Sequence, residues 1–285
     1  MTATGNQLAA PRRRLSNEPN RAATRAPSSD LPRQSEWLLR WFTAYARGYV
    51  ARHFHAVRLF GAAPAPPPPG TPLVIYLNHP SWWDPLLCLL ARAAFFAERR
   101  SFAPIEAAML ARYRFFGRLG FFGIEPNSAR GAVRFLRVAE TILRAPNAAL
   151  WLTPQGRFCD ARQRPAGFKP GLGHLAARLE HAVFLPLALE ITYWEERTPE
   201  ALLHFGRPVE ASRQTPRQPD AWTASLEAAL EQAQETLAAA ALRRDPAEFR
   251  VLLRGAAGVG GGYDLWRRLR AAWRGETFNS EHGRK

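Results

Sequence analysis

The sequence has only two cysteines and two lysines, and both shortages narrow the possibilities. Cys88 and Cys159 are too few for a disulfide framework. Cys88 lies in the apolar run 85–90, which is typical of a small buried side chain rather than of a nucleophile. A reducing, cytoplasmic setting is therefore expected. Lysine occurs only at positions 169 and 285, so almost all of the 39 basic residues are arginine.

A hydrophobic run long enough to cross a membrane is also missing. The best apolar run, residues 85–97, contains Arg92 and falls short of the roughly 20 apolar residues that a spanning helix needs. The first 30 residues are polar and rich in arginine, proline and serine, which argues against a secretory signal peptide. The protein is expected to lie on a membrane rather than to cross one.

Positive charge and apolar residues are both abundant. The formal net charge is +15, and 47% of the residues are hydrophobic, enough for a sizeable core. The charge predicts attraction to anionic surfaces, either phospholipid or nucleic acid. No nucleic-acid-binding motif is visible, and the basic helical segments interleave tryptophan rather than polar base-reading residues. We therefore expect an anionic phospholipid surface as a partner, and no nucleic acid.

Composition divides the chain into five segments. Residues 1–34 are predicted to be a disordered basic tail, and residues 35–60 an amphipathic helix. Residues 61–70 are predicted to be a proline-rich linker, and residues 71–254 the main domain. Residues 255–285 combine a glycine hinge with a basic amphipathic helix.

The two terminal helices each allow two interpretations. Trp37, Trp41 and Tyr45 recur at helical spacing in the first helix, which either packs on the core or lies in the bilayer interface. The segment 263–274 places tryptophans opposite arginines and is predicted to be a surface membrane anchor or a partner-binding helix.

Between these ends, short apolar strands alternate with helices. This order predicts an α/β fold with a mixed, largely parallel sheet flanked by helices. Strands are predicted at 72–77, 93–97, 101–103, 120–124, 148–152, 182–189 and 202–205. Helices are predicted from Asp84, over 107–118, from Ser128 to Arg144, and over 220–242.

One short segment carries candidate chemistry. His79 follows the strand 72–77, and Asp84 stands five positions later at the start of a helix. Sites in open α/β sheets collect at the carboxyl ends of strands. An aspartate there can fold back onto the imidazole, fix its tautomer and stabilise the imidazolium that forms when histidine removes a hydroxyl proton. Asp84 before Pro85 is equally a good helix N-cap.

The segment Asn78–Asp84 resembles the NHxxxxD block of the glycerophospholipid acyltransferase superfamily. Three later segments resemble that family's remaining blocks in the required order: 120–130, 151–157 and 183–187. The resemblance implies the family's glycerol-3-phosphate acyltransferase-like fold. It also implies transfer of an acyl group from acyl-CoA or acyl-carrier protein to a lipid alcohol, in phospholipid biosynthesis on the inner face of the cell membrane. No metal or other cofactor is implied.

The resemblance also implies roles for particular residues. His79 would be the general base and Asp84 its orienting partner. The substrate-binding candidates are Asn78, Arg130, Gln155, Gly156 and Arg157. Arg157 suits bidentate phosphate binding, and Gly156 lets backbone N–H groups approach an anion. Arg130 lies in the first turn of a helix, where anions are favoured, although a solvated basic face is an alternative.

Two departures from the family pattern concern the acceptor. Gln155 replaces the usual glutamate of the third block, and residues 102–107 lack the lysine that many members carry. A lysophospholipid acceptor is the first expectation, and a glycolipid, a carotenoid glycoside or an ornithine-lipid precursor are alternatives. Three rival hypotheses are a nucleic-acid-binding protein, a hydrolase that activates water, and a lapsed lipid-binding relative. The common esterase type is disfavoured because no Gly-x-Ser-x-Gly elbow occurs.

Overall fold

A computed structural model describes residues 31–212 and 218–255. Within these ranges one sheet of nine strands runs in the order β4-β3-β5-β2-β6-β7-β1-β9, with β8 pairing to β6. The strands are β1 (Ala56–Phe60), β2 (Leu73–Leu77), β3 (Arg100–Glu106), β4 (Phe121–Ile124), β5 (Ala148–Leu152), β6 (His181–Thr192), β7 (Glu200–Phe205), β8 (Val209–Ser212) and β9 (Phe249–Arg254). Pairings among β1 to β7 are parallel, apart from β6 with β7, whereas β8 and β9 pair antiparallel. The predicted mixed, largely parallel sheet is confirmed.

Helices cover both faces of this sheet. They are α1 (Glu36–His53), α2 (Asp84–Phe95), α3 (Ala107–Arg112), α4 (Phe115–Leu119), α5 (Ala129–Arg144), α6 (Gly171–Arg178) and α7 (Pro219–Arg243). Alternate residues of β2 point to opposite faces, as a strand requires. Val74 and Tyr76 join the core with α5, α6 and α7, whereas Leu73, Ile75 and Leu77 join the core with α1 and α2.

The central strands owe their position to their composition. All five residues of β2 and all five of β5 are buried, which matches the near-continuous apolar runs of strands that are covered on both faces. Among the helices, α5 begins where predicted, because the Ser128 hydroxyl accepts a hydrogen bond from the N–H of Gly131 at 2.9 Å. No helix of the described ranges is both long and apolar enough to span a membrane.

The predicted helix over residues 35–60 is wrong beyond His53. Helix α1 ends at His53, and residues 56–60 form β1, which pairs with β7 and β9. In residues 54–60 the apolar side chains fit both the spacing of a helix and the alternation of a strand. The buried pair between Arg58 and Glu200, at 2.8 Å, anchors β1 against β7. The sheet therefore includes a strand that precedes the proline-rich segment, and the domain does not begin at residue 71.

Two further predictions concern residues 93–97 and the proline-rich residues 61–70. The predicted strand at 93–97 is wrong, because α2 continues to Phe95. The proline-rich residues 61–70 contain no helix or strand, but they are tied to the domain. The guanidinium of Arg99 donates hydrogen bonds to the carbonyls of Pro67 and Pro68 in this segment. Most of the predicted basic tail and the whole helix predicted at 263–274 lie outside the described residues.

Candidate active site

The candidate site begins where β2 ends. Asn78 follows the last residue of β2, and its buried amide pairs with the backbone of Leu189 on the adjacent strand β6. Its Oδ1 accepts from the Leu189 N–H at 2.8 Å, and its Nδ2 donates to the Leu189 carbonyl at 2.9 Å. Both polar atoms of Asn78 are thus bonded to backbone. Asn78 therefore positions the loop, and its side chain is not available for the substrate contact that the sequence predicted.

His79 and Asp84 are in direct contact. His79 Nδ1 and Asp84 Oδ2 lie 2.7 Å apart. A carboxylate accepts hydrogen bonds but does not donate them, so Nδ1 carries the hydrogen and Nε2 has a free lone pair. No hydrogen bond to Nε2 occurs within the described ranges. The His79 side chain is 20% exposed whereas that of Asp84 is 2% exposed, so the base faces outward and its orienting partner is buried.

Ser81 completes the support of the Asp84 carboxylate. Its hydroxyl donates to Asp84 Oδ1 at 2.9 Å, and its backbone N–H lies 3.1 Å from Asp84 Oδ2. The same hydroxyl accepts from the N–H of Trp83. With three hydrogen bonds, the carboxylate has little freedom to rotate away from the imidazole.

The helix cap predicted for Asp84 is wrong. Helix α2 begins at Asp84 itself, and Trp83 occupies the N-cap position without a capping side-chain bond. The Asp84 carboxylate instead accepts hydrogen bonds from His79 and Ser81. It therefore stabilises the loop 79–84 and does not cap helix α2. Pro85 lies in the first turn, as expected, where its missing N–H costs nothing.

Gln155 connects the third sequence block to the histidine. Its buried Oε1 accepts from the backbone N–H of His79 at 2.9 Å, and its Nε2 donates to the carbonyl of Ala166 at 2.9 Å. Both ends of the amide are therefore committed to backbone. The prediction that Gln155 contacts substrate needs correction, because the side chain fixes the backbone of His79 and the loop around Ala166.

Gly156 lies in a crowded turn. Its φ of +62° belongs to the left-handed region, and an added Cβ would lie 3.0 Å from the Cε and Nζ atoms of Lys169. The ammonium of Lys169 donates to the Asn127 side chain at 2.9 Å. Lys169 therefore lies between Gly156 of the third block and Asn127 in the segment before α5. Its positive charge is at the carboxyl edge of the sheet.

The two candidate phosphate-binding arginines differ in position. Arg157 and Arg130 are both exposed, and neither side chain forms an ion pair within the described residues. Arg157 follows β5, the direct neighbour of β2, and the ring of Phe158 packs against His79 with centroids 4.3 Å apart. Arg130 follows β4, which is three strands from β2, or about 14 Å at the usual strand spacing. Arg157 is thus adjacent in the chain to a residue that packs on His79, whereas Arg130 lies on a helix that follows a strand farther along the sheet.

Three residues near His79 were not predicted from the sequence. Ser81 holds the aspartate, Phe158 covers the imidazole, and the N–H of Cys159 donates to the His79 carbonyl at 2.9 Å. Ser81 lies inside the NHxxxxD block, so its position was a usable signal. Phe158 and Cys159 follow the third block directly, but nothing local indicates that they reach back to His79.

Two groups bear on alternative chemistries. Burial and the nearby Asp84 carboxylate raise the pKa of the Cys88 thiol, so it is protonated and a poor nucleophile at neutral pH. In the part of the chain that the structure describes, no three His, Cys, Asp or Glu side chains are grouped so that they could hold a metal ion.

Comparison with known proteins finds similarity to acyltransferases. A family model described as Acyltransferase matches residues 58–190. Among solved structures, the chain is similar to the crystal structure of the 1-acyl-sn-glycerophosphate (LPA) acyltransferase PlsC from Thermotoga maritima, at 13% identity and a TM-score of 0.45. That match covers 70% of this chain and 80% of the other. No curated protein sequence matches the chain. The stretch that matches the acyltransferase family model, residues 58–190, contains the His79–Asp84 pair and all four sequence blocks.

Proposed function

We propose that this acyltransferase moves a fatty acyl group from acyl-CoA or acyl-carrier protein to a lipid hydroxyl, in phospholipid biosynthesis. The observation that carries the proposal is the contact between Asp84 and His79 Nδ1, which leaves His79 Nε2 without a hydrogen-bond partner among residues 31–212 and 218–255. The acceptor that fits the basic groups at this edge best is a lysophospholipid.

The chemistry needs one base and two aligned substrates. Nε2 of His79 takes the proton of the acceptor hydroxyl while its oxygen attacks the thioester carbonyl. A C–O bond forms, the C–S bond of the tetrahedral intermediate then breaks, and the proton passes from the imidazolium to the departing thiolate. Asp84 stabilises the imidazolium between these steps. No protein nucleophile is required, because holding both substrates together removes much of the entropic barrier.

The charged groups at the carboxyl edge support an anionic acceptor. Arg157 is exposed and adjacent to Phe158, which covers His79. Arginine binds phosphate through two parallel hydrogen bonds, whereas Lys169 contributes a point charge nearby. Arg130 lies farther along the edge and suits a more distant contact. Since the usual lysine of residues 102–107 is absent, a glycolipid or a carotenoid glycoside is the alternative acceptor class.

Exposed aromatic side chains support a membrane-bound position. Trp37 and Trp41 are 68% and 55% exposed on one face of α1, and Tyr45 continues that face. Trp82, which lies between His79 and Asp84 in the chain, is 64% exposed. Tryptophan and tyrosine favour the membrane interface, and the net charge of +15 attracts anionic lipid. A lipid surface facing α1 and Trp82 would present the acceptor beside the histidine.

The decisive experiment measures thiol release from acyl-CoA in the presence of lysophosphatidic acid. We expect His79→Ala to abolish release, whereas His174→Ala, an exposed histidine of α6, leaves it unchanged. Far-UV circular dichroism establishes that both variants are folded. Undiminished turnover by folded His79→Ala protein would refute the proposed base.

Two further measurements separate the rival functions. Thiol release that does not depend on an acceptor identifies a hydrolase. Sedimentation with anionic liposomes, but not with duplex DNA at physiological salt, separates the membrane protein from a nucleic-acid-binding one. A mass-spectrometric comparison of lipids from deletion and wild-type cells then names the acceptor.

A further inference from the structure

A cavity lies behind the loop that carries His79, and the proposed chemistry does not use it. The cavity has a volume of about 220 Å³ and opens between the loop after the third block, the end of β6 and helix α7. Its walls include Ala161, Arg164, Glu190, Gln234, Leu237 and Ala238.

Two backbone connections place this cavity next to the histidine. Ala161 stands two residues after Cys159, whose N–H bonds to the His79 carbonyl. Leu189 lines the cavity, and its backbone holds the Asn78 side chain. Because β6 runs parallel to β2, with Leu187 opposite Leu77, residues 188–190 lie at the same sheet edge as His79.

Gln234 brings one unsatisfied polar atom to this cavity. The residue is 4% exposed, and its Nε2 donates to the Ala161 carbonyl at 2.8 Å. Its Oε1 is buried and accepts no hydrogen bond from the part of the chain that the structure describes. Buried carbonyl oxygens of this kind are almost always satisfied in native proteins, by protein, water or ligand. A molecule in the cavity that donates an N–H or O–H hydrogen bond would satisfy this oxygen.

The basic groups of the cavity are already engaged. Arg162 forms paired hydrogen bonds with Asp160, at 3.0 and 2.9 Å. Arg164 donates to the carbonyls of Ala161 and Gln163, and its Nε lies 4.0 Å from Glu235. Burial raises the pKa of Glu190, which also lines the wall. Gln234 Oε1 and the Glu190 carboxylate thus offer hydrogen-bond acceptors in this cavity, and they suit a ligand that carries N–H or O–H donors.

We propose that this cavity holds the pantetheine arm of the acyl donor. The inference rests on the proposed function, in which the donor is a thioester of CoA or of acyl-carrier protein. Both donors carry the same arm, which offers two amide N–H groups and a hydroxyl along a chain of methylene and methyl groups. The donors match Gln234 Oε1 and Glu190, and the apolar parts match Leu237 and Ala238. An arm seated here would hold the acyl donor beside the loop that carries His79.

The test uses the full-length protein and two substitutions in the cavity. Ala238→Trp fills the space, and Gln234→Leu removes the acceptor while keeping similar volume. Their matched controls are Ala239→Trp and Gln232→Leu, at exposed positions of the same helix. We expect each cavity variant to raise the KM for acyl-CoA about tenfold, with the acceptor KM unchanged, because a lost hydrogen bond or blocked seat weakens donor binding. The controls should behave as wild type.

Comparison of the two donors identifies the source of the arm. Kinetics with acyl-CoA and with acyl-carrier protein are measured separately. A raised KM for either donor supports the proposal and names that donor as the one whose arm enters the cavity. An unchanged KM for both donors in folded Ala238→Trp protein overturns it, and so does a change confined to the acceptor KM.

A binding measurement keeps this inference separate from the proposed function. Binding of free pantetheine to the wild-type chain is followed by isothermal titration calorimetry or saturation-transfer NMR. If no lipid acceptor is acylated but pantetheine binds and Ala238→Trp removes that binding, the cavity assignment stands while the function is refuted. If pantetheine does not bind, or binds equally well to Ala238→Trp, the assignment fails whatever the turnover.

Discussion

Gln155 Oε1 accepts a hydrogen bond from the backbone N–H of His79 at 2.9 Å, across 76 residues of chain. The opposite end of the same amide donates to Ala166. A glutamine is suited to this pair of partners because it offers one acceptor and one donor. The residue that departs from the family pattern is thus matched to its own surroundings.

Restoring the family glutamate should therefore impair this protein. In Gln155→Glu, a carboxylate would face the Ala166 carbonyl without a donor, at a cost of about 1–3 kcal/mol in the free energy of unfolding. Urea denaturation measures the loss, and kcat should fall with it because the His79 backbone is no longer fixed. Gln232→Glu, at an exposed position of α7, is the control. Wild-type stability and turnover in Gln155→Glu would contradict this assignment.

Asp84→Asn tests whether the carboxylate orients the histidine. The amide has nearly the same size, but its N–H₂ group next to Nδ1 favours the wrong imidazole tautomer. We expect kcat to fall roughly 10²- to 10⁴-fold while the KM values change little. Steady-state kinetics measure the effect. Ser81→Ala, which removes one of the hydrogen bonds to the carboxylate, should produce a smaller loss. Equal losses for the two variants would argue against a special role for the tautomer.

Arg157→Ala should act on the acceptor rather than on the chemistry. Hydrogen bonds to a charged group contribute about 1.5–3 kcal/mol, so the acceptor KM should rise at least about tenfold with kcat nearly constant. Arg130→Ala should have a smaller effect because it follows β4, three strands from β2. Arg144→Ala, at the far end of α5, is the control. If the KM for a neutral glycolipid acceptor is the same in Arg157→Ala as in wild type, the alternative acceptor class is indicated.

The exposed aromatic face of α1 should bind lipid. Burying one large apolar side chain contributes at least about 1.5 kcal/mol, so Trp37→Ser with Trp41→Ser should weaken binding to anionic liposomes about a hundredfold. Sedimentation with vesicles of increasing anionic lipid content measures this. Leu242→Ser changes a still more exposed apolar residue on α7 and serves as the control. Similar losses in both proteins would show that α1 is not the contact surface.

The buried Arg58–Glu200 pair predicts a pH-dependent stability. Burial alone would raise the pKa of Glu200, but hydrogen bonds from His55 and Arg58 and their charges lower it below its usual value. A lowered folded-state pKa contributes stability that is present above the unfolded pKa and is lost as pH falls through the folded pKa.

Glu200→Gln should therefore cost about 3–5 kcal/mol at pH 7, and the difference from wild type should shrink below about pH 4.3. Urea unfolding at neutral and acidic pH measures both values. Glu248→Gln, which breaks an exposed pair with Arg243, should change little at either pH. A pH-independent difference would mean that Glu200 acts by packing alone.

Much of the fold was predictable because its signals are local. Ser128 begins α5 as its capping position indicates, and β5 matches the apolar run 148–152. The failures arose where two local patterns overlap. Residues 54–60 satisfy helical spacing and strand alternation together, and the choice depends on pairing with β7 and β9, which are far away in the chain.

The candidate site divides in the same way. The sequence by itself indicated the pair His79 and Asp84, because they follow a strand end and lie in the first of four ordered blocks that resemble an acyltransferase, although Asp84 was equally suited to cap a helix. Only the tertiary structure decided that Asn78 and Gln155 bond to backbone, that Phe158 packs on His79, and that Gln234 lies behind the loop. These contacts join residues many tens of positions apart. They follow from the order of the strands, which no local pattern of side chains specifies.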